Sequence, residues 1–143
     1  RNAKLYIGEI ENRYLTGEVR RKVIYHLYKL PQVTINNEKV LLHDGEVFDI
    51  GGIKIECFLV PGHTWGHMVY LIDDKYLFTG DTLFRHECGR CDLEGGDFSA
   101  MLRSLKRLSE LEGDYKVFPG HEGISTLSEE RAANPYMLQA RGR

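Results

Sequence analysis

The sequence predicts a mixed α/β (α+β) domain, and three features of its 143 residues carry that prediction. Residues 40–84 alternate apolar and polar positions between turn signals. Residues 97–111 repeat apolar side chains at helical spacing, and a second short apolar run occupies residues 115–118. Strand-type and helix-type segments therefore succeed one another, as in a sheet with helices packed upon it.

In chain order, residues 3–7 are a short β-prone run ending at Gly8, and residues 9–15 suit a short helix. Over residues 18–30, Val19, Val23, Ile24, Leu27 and Leu30 recur at roughly helical spacing, so an amphipathic helix is expected, stopped by Pro31. Arg20, Arg21 and Lys22 form its solvated side. Asp44-Gly45 and Gly51-Gly52 mark turns. Ile53, Ile55, Cys57 and Leu59 share one face of a strand over residues 53–60. Residues 68–72 and 76–79 make two further strands joined by Asp73-Asp74, after which Gly80-Asp81 turns the chain out of the sheet. Asp97 is a suitable N-cap for a helix whose apolar stripe is Phe98, Met101, Leu102, Leu105, Leu108 and Leu111. Gly113-Asp114 ends that helix, and residues 115–118 return to a strand. Thr126 and Glu129 resemble a capping box for a last helix, which Asn134-Pro135 closes.

Composition narrows the function. Hydrophobic residues at 42% and charged residues at 28% describe an ordinary globular chain, sized for one domain over residues 1–143. A net charge of -2, with basic residues scattered along the chain, gives no electrostatic footprint for nucleic acid. No apolar run approaches the ~20 residues that span a bilayer, so no membrane partner is expected. Three cysteines are too few and too odd in number for a disulfide framework. With no charged-then-apolar leader at the start, a cytoplasmic location is expected.

Two apolar runs end alike. Phe58-Leu59-Val60 leads into Pro61-Gly62-His63, and Val117-Phe118 leads into Pro119-Gly120-His121. Proline ends ladder bonding and glycine permits a sharp turn, so an imidazole is presented at each strand end. Leu77-Phe78-Thr79-Gly80 presents Asp81 by the same device. A lone His or Asp after a turn is usually a cap or a surface group, but three such deliveries together suit metal ligation. His63 and His67 are spaced as on a zinc-protease helix, yet Pro61, Gly62 and Gly66 oppose a helix there. His67 is therefore either an orienting group behind the ligands or a structural turn residue. Cys88-x-x-Cys91 is either a pair of incidental thiols or half of a metal or redox motif. The sequence has no G-x-S-x-G elbow to support a serine hydrolase.

Three segments together resemble successive motifs of the metallo-β-lactamase-fold hydrolases, in particular their glyoxalase II-like (hydroxyacylglutathione hydrolase-like) branch. They are Pro61-Gly62-His63-Thr64-Trp65-Gly66-His67, Phe78-Thr79-Gly80-Asp81-Thr82-Leu83-Phe84 and Phe118-Pro119-Gly120-His121-Glu122. Gly89-Arg90-Cys91-Asp92-Leu93 and Gly95-Gly96-Asp97 also match that branch, and the resemblance extends over about residues 44–137. It implies an αββα sandwich, of which this chain would be the middle and C-terminal part. It further implies a two-zinc centre in which His63 ligates the first ion, His121 the second, and Asp81 bridges them as the central catalytic carboxylate. His67 and Asp92 would lie behind the ligands. The implied chemistry is metal-assisted hydrolysis of a small thioester or related acyl substrate. Glutathione specificity is not implied, because the branch's additional helical region has no counterpart in the short stretch after His121.

The family's leading His-x-His-x-Asp-His motif, source of the other four side-chain ligands, does not occur in this sequence. Residues 3–7 resemble the segment just after that motif, so the chain is expected to be a partial domain, inactive or nearly so by itself. A sheet face left bare would then favour self-association. Two alternatives stay open: a persulfide dioxygenase-like enzyme with a single iron, and a non-catalytic fragment with vestigial ligands.

Overall fold

The computed structural model describes residues 2–20 and 34–142. Most of the helix expected over residues 18–30 lies outside the described residues, and Glu18 and Val19 themselves form a bend. Strand β1 (Leu5–Gly8) runs into helix α1 (Glu9–Leu15) and pairs in parallel with β2 (Lys39–Leu42).

A six-stranded sheet comes next, built from β3 (Val47–Ile50), β4 (Ile53–Leu59), β5 (Met68–Ile72), β6 (Tyr76–Gly80), β9 (Lys116–Pro119) and β10 (Ser125–Thr126). Its spatial order is β10-β9-β6-β5-β4-β3. Strands β3 to β6 form an antiparallel meander, whereas β9 returns beside β6 in parallel. The β5–β6 turn places Asp73 at φ 55° and Asp74 at φ 51°, both left-handed, and closes with Lys75 N donating to Ile72 O at 3.1 Å. Since β5 is antiparallel to both neighbours, β4, β6 and β9 all point the same way. Their C-terminal ends share one edge of the sheet.

Both sheet faces are apolar. Phe58, Val60, Val69, Leu71, Leu77 and Val117 face the main core with Met101, Leu105 and Leu108 of α2 (Phe98–Ser109). Each of those three helix side chains is fully buried, contributing roughly 1.5–3 kcal/mol. On the opposite face Cys57 joins Leu42 and Met68 in a smaller cluster beside Ile55 and Leu59. The alternation in β4 is as expected, but the larger core takes Phe58 and Val60. Further along that second face, Phe118 stacks on Phe78 at 5.1 Å, and Tyr76 and Phe78 remain exposed.

Asp97 caps α2, its Oδ1 accepting from Ala100 N at 2.8 Å. Three expected stripe residues behave differently: Phe98 is exposed, Leu102 is half-buried, and Leu111 is half-buried past the helix end at Ser109, while Ser104 and Ser109 are buried. Ser104 Oγ donates to Pro61 O at 2.7 Å, and Asp97 N donates to Gly62 O at 2.8 Å, so α2 clamps the turn leaving β4.

The hairpin β7 (Leu83–Phe84)–β8 (Glu87–Cys88) precedes α2, and α3 (Leu127–Ala133) and α4 (Pro135–Ala140) close the chain. Thr126 Oγ1 caps α3 by accepting from Glu129 N at 3.1 Å. The expected capping box is half formed, because Glu129 turns its carboxylate to Arg85 and His86. Asn134 ends α3 as expected and also starts α4, accepting from Tyr136 N at 3.0 Å and Met137 N at 3.1 Å. Among the described residues, no helix is long and apolar enough to cross a membrane.

Candidate metal centre

The shared edge collects the donors. Val60-Pro61-Gly62 carries His63 off β4, Gly80 delivers Asp81 off β6, and Pro119-Gly120 delivers His121 off β9. His63 Nε2 lies 3.5 Å from Asp81 Oδ2, and His121 Nε2 lies 3.2 Å from Asp81 Oδ1. One carboxylate thus faces two imidazoles, one through each oxygen. The approach depends on glycine: a Cβ at Gly120 would sit 2.9 Å from Asp81 Oδ1.

His63 Nδ1 stands 2.8 Å from the Arg90 carbonyl, which can only accept, so the ring N–H points there. Nε2 then faces Asp81 Oδ2, an imidazole nitrogen and a carboxylate oxygen placed as two donors to one cation would be. Two donors on a tetrahedral ion with bonds of about 2.1 Å stand about 3.4 Å apart. The distances of 3.5 and 3.2 Å fit that edge length, so the donor set fits a divalent metal. His121 is largely exposed, with the Phe84 ring edge-on to it at 5.7 Å.

His67 enters β5 at the same edge but offers no free nitrogen. Its Nε2 accepts from Asp81 N at 3.0 Å, which puts the ring N–H on Nδ1, 3.1 Å from Thr82 Oγ1. Burial holds its pKa below the ordinary histidine value, His63 adds to the effect, and the neutral ring is favoured. Gly80 at φ 50° makes room for it, since a Cβ there would lie 2.6 Å from the imidazole.

Asp92 lies elsewhere. Its carboxylate pairs with Arg90 Nε at 2.7 Å and Nη2 at 2.8 Å on the exposed surface, and that guanidinium pulls its pKa down to about 2. What holds His63 is the backbone carbonyl of Arg90, a contact with no side-chain signature in the sequence. Helix α1 supplies other support: Thr64 Oγ1 donates to Glu11 Oε1 at 2.5 Å, and Tyr14 stacks on Trp65 at 5.7 Å. Cys88 and Cys91 pack against the main core as free thiols. Burial pushes Cys88 up to about 12 and raises Cys91 as well, so both environments favour the unreactive thiol.

A mixed α/β sheet with metal-type donors at its strand ends defines a class of metalloprotein rather than one activity. Residues 1–121 match the Metallo-beta-lactamase superfamily profile, and the chain belongs to that superfamily, whose members are mostly hydrolases binding divalent metals. It is 33% identical over 96 residues to the hydroxyacylglutathione hydrolase GloC of Haemophilus influenzae, a match covering 66% of this chain and 45% of that protein. It is 42% identical over 83 residues to BaeB of Bacillus velezensis, a probable polyketide biosynthesis zinc-dependent hydrolase, covering 57% of this chain and 36% of the relative. The chain therefore spans less than half the length of these curated relatives. Among solved structures, the BLEG-1 B3 metallo-beta-lactamase superposes with a TM-score of 0.78 at 29% identity, covering 92% of this chain and 64% of the other. TTHA1623 in a di-iron-bound form gives a TM-score of 0.72 at 30% identity, covering 92% and 63%.

Proposed function

We propose that this chain supplies part of the divalent-metal centre of a hydrolase that cleaves a small thioester, in the manner of the glyoxalase II-like branch. The observation that carries the proposal is one carboxylate reached by two imidazole Nε2 atoms, through different oxygens, at 3.5 and 3.2 Å. His63 and His121 would each hold an ion, with Asp81 shared between them. When bound, the metal supplies an activated water and a Lewis acid for the acyl carbonyl. His63 is held in the correct tautomer by the Arg90 carbonyl. His67 fixes the backbone at Asp81, so the shared carboxylate stays aimed along the sheet edge. The similarity to GloC and BaeB supports a thioester or related acyl substrate and zinc, while the di-iron form of TTHA1623 makes iron the second metal to load. Among the described residues this edge holds three side-chain donors, fewer than the four that a single tetrahedral zinc takes, so the chain by itself is expected to turn over slowly if at all.

The test is thiol release from a hydroxyacylglutathione and from simple acyl thioesters by the intact protein, loaded with zinc or with iron. Release that requires metal and falls by at least ~100-fold in Asp81→Ala is expected. Release unchanged in Asp81→Ala would overturn the assignment. Oxygen consumption with a persulfide and no thioester cleavage would replace it with the single-iron dioxygenase chemistry.

A further inference from the structure

A separate group of donors lies where the β7–β8 hairpin meets α3. His86 Nε2 is 3.0 Å from Glu129 Oε1. A Glu130 carboxylate oxygen joins them, the three ligand atoms all lying within 4.8 Å of one another. Glu130 is fully buried. Its Oε2 accepts from His86 N at 2.9 Å and Asn134 Nδ2 at 2.8 Å, but its equally buried Oε1 meets no hydrogen-bond donor. A carboxylate oxygen withdrawn from water is costly without a partner, and among the described residues Oε1 has no hydrogen-bond donor.

We propose that His86, Glu129 and Glu130 form a second divalent-cation site, distinct from His63, Asp81 and His121. Two carboxylates and one imidazole form a mixed oxygen and nitrogen set suited to zinc or manganese, and unsuited to soft monovalent copper. Partial exposure of His86 and Glu129 lets both close on an ion, while Glu130 is fixed from behind. Arg85 is the built-in competitor: its Nε sits 3.1 Å from Glu129 Oε1 on a half-exposed side chain that the ion displaces. The hairpin carries Phe84, which touches the His121 ring, and α3 comes directly after the strand paired with β9. An ion here ties together the two elements on either side of His121.

The experiment uses the full chain carrying His63→Ala, Asp81→Ala and His121→Ala, so that the first donor group is silent. Equilibrium dialysis against Zn2+ with elemental analysis is expected to find one ion per chain, and Zn2+ is expected to raise the melting temperature. Adding His86→Asn or Glu130→Gln is expected to weaken binding by about 10–100-fold, and Arg85→Met to strengthen it. His86 is exposed, so His86→Asn reads the same quantity should Glu130→Gln not fold. No retained Zn2+, as when a proton or a water satisfies Glu130 instead, overturns the proposal. So does a Zn2+ ion that both substitutions leave in place. Because these chains lack the first donor group, neither result depends on whether the protein hydrolyses thioesters.

Discussion

Replacing Gly80 with alanine tests how the candidate centre is held. Gly80 sits at φ 50°, where an L side chain costs about 1–2 kcal/mol of backbone strain. The new Cβ would lie 2.6 Å from two atoms of the His67 ring, so the ring must withdraw by about 0.8 Å to reach ordinary contact. His67 is pinned at 3.0 Å by Asp81 N and at 3.1 Å by Thr82 Oγ1, so withdrawal breaks the first bond and forfeits about 1 kcal/mol. The combined loss is about 2–3 kcal/mol, or roughly 5–10 °C in melting temperature. Gly51 is the matched control, with φ 61° and no atom within 4 Å of an added Cβ. Gly51→Ala therefore carries the backbone strain alone. Urea unfolding should place Gly80→Ala about 1 kcal/mol below Gly51→Ala at equal m-value. Zinc binding at Asp81 should weaken only in Gly80→Ala. Equal losses in the two variants, with equal zinc affinity, would refute the role given to His67.

Two further outcomes are expected. His43 places Nδ1 2.6 Å from Glu46 Oε1 and Nε2 3.1 Å from Glu9 Oε2, and its pKa is raised, first by the bond to Glu46 and then by the charges of Glu46 and Glu9. A raised folded-state value means that the pairing stabilises fully below the unfolded histidine pKa and is lost as pH rises through the folded one. Imidazole titration by NMR should show this value above 6.5 and returning toward it in Glu46→Gln; a value at or below 6.5 in the wild type would exclude the pairing. Asn134→Ala removes the α4 cap and the Nδ2 bonds to Glu87 O at 3.1 Å and Glu130 Oε2 at 2.8 Å, within the main core. The expected cost is about 2–4 kcal/mol, read by thermal unfolding, and a loss below about 1 kcal/mol would contradict the network.

What the sequence made legible was local. Pro-Gly and Gly punctuation marked the strand ends that carry His63, Asp81 and His121, and Asp97 marked the start of α2, because each signal lies within a few residues of its effect. The parallel pairing of β9 with β6 had no such signal, since it joins segments separated by the β7–β8 hairpin and α2. Buried polar residues were equally silent. Ser104 is covered because the Pro61 carbonyl needs a donor, and Glu130 because the hairpin backbone does. Phe98 counted toward the apolar stripe yet lies in the first helical turn, where it stays exposed with Tyr136 edge-on to its ring at 6.3 Å. Asn134-Pro135 had a second meaning that was available: asparagine followed by proline is a good helix start as well as a stop.

The convergence of the three donors results from strand direction. In an antiparallel meander every second strand ends on the same edge, so β4 and β6 deliver their following residues together and β5 cannot. The crossover through α2 restores that direction for β9. A residue placed just after any of these three strands is brought to one edge. The strand between them contributes its beginning instead. That is why His67 reaches the same edge with its backbone already fixed, its carbonyl accepting from Val60 N at 2.8 Å. His67 is held twice, through its backbone by Val60 N and through its ring by Asp81 N and Thr82 Oγ1. The geometry thus takes the His63, Asp81 and His121 side chains out of the ladder, while the α2 clamp on Pro61-Gly62 and the His67 bond to Asp81 N fix the backbone they leave from.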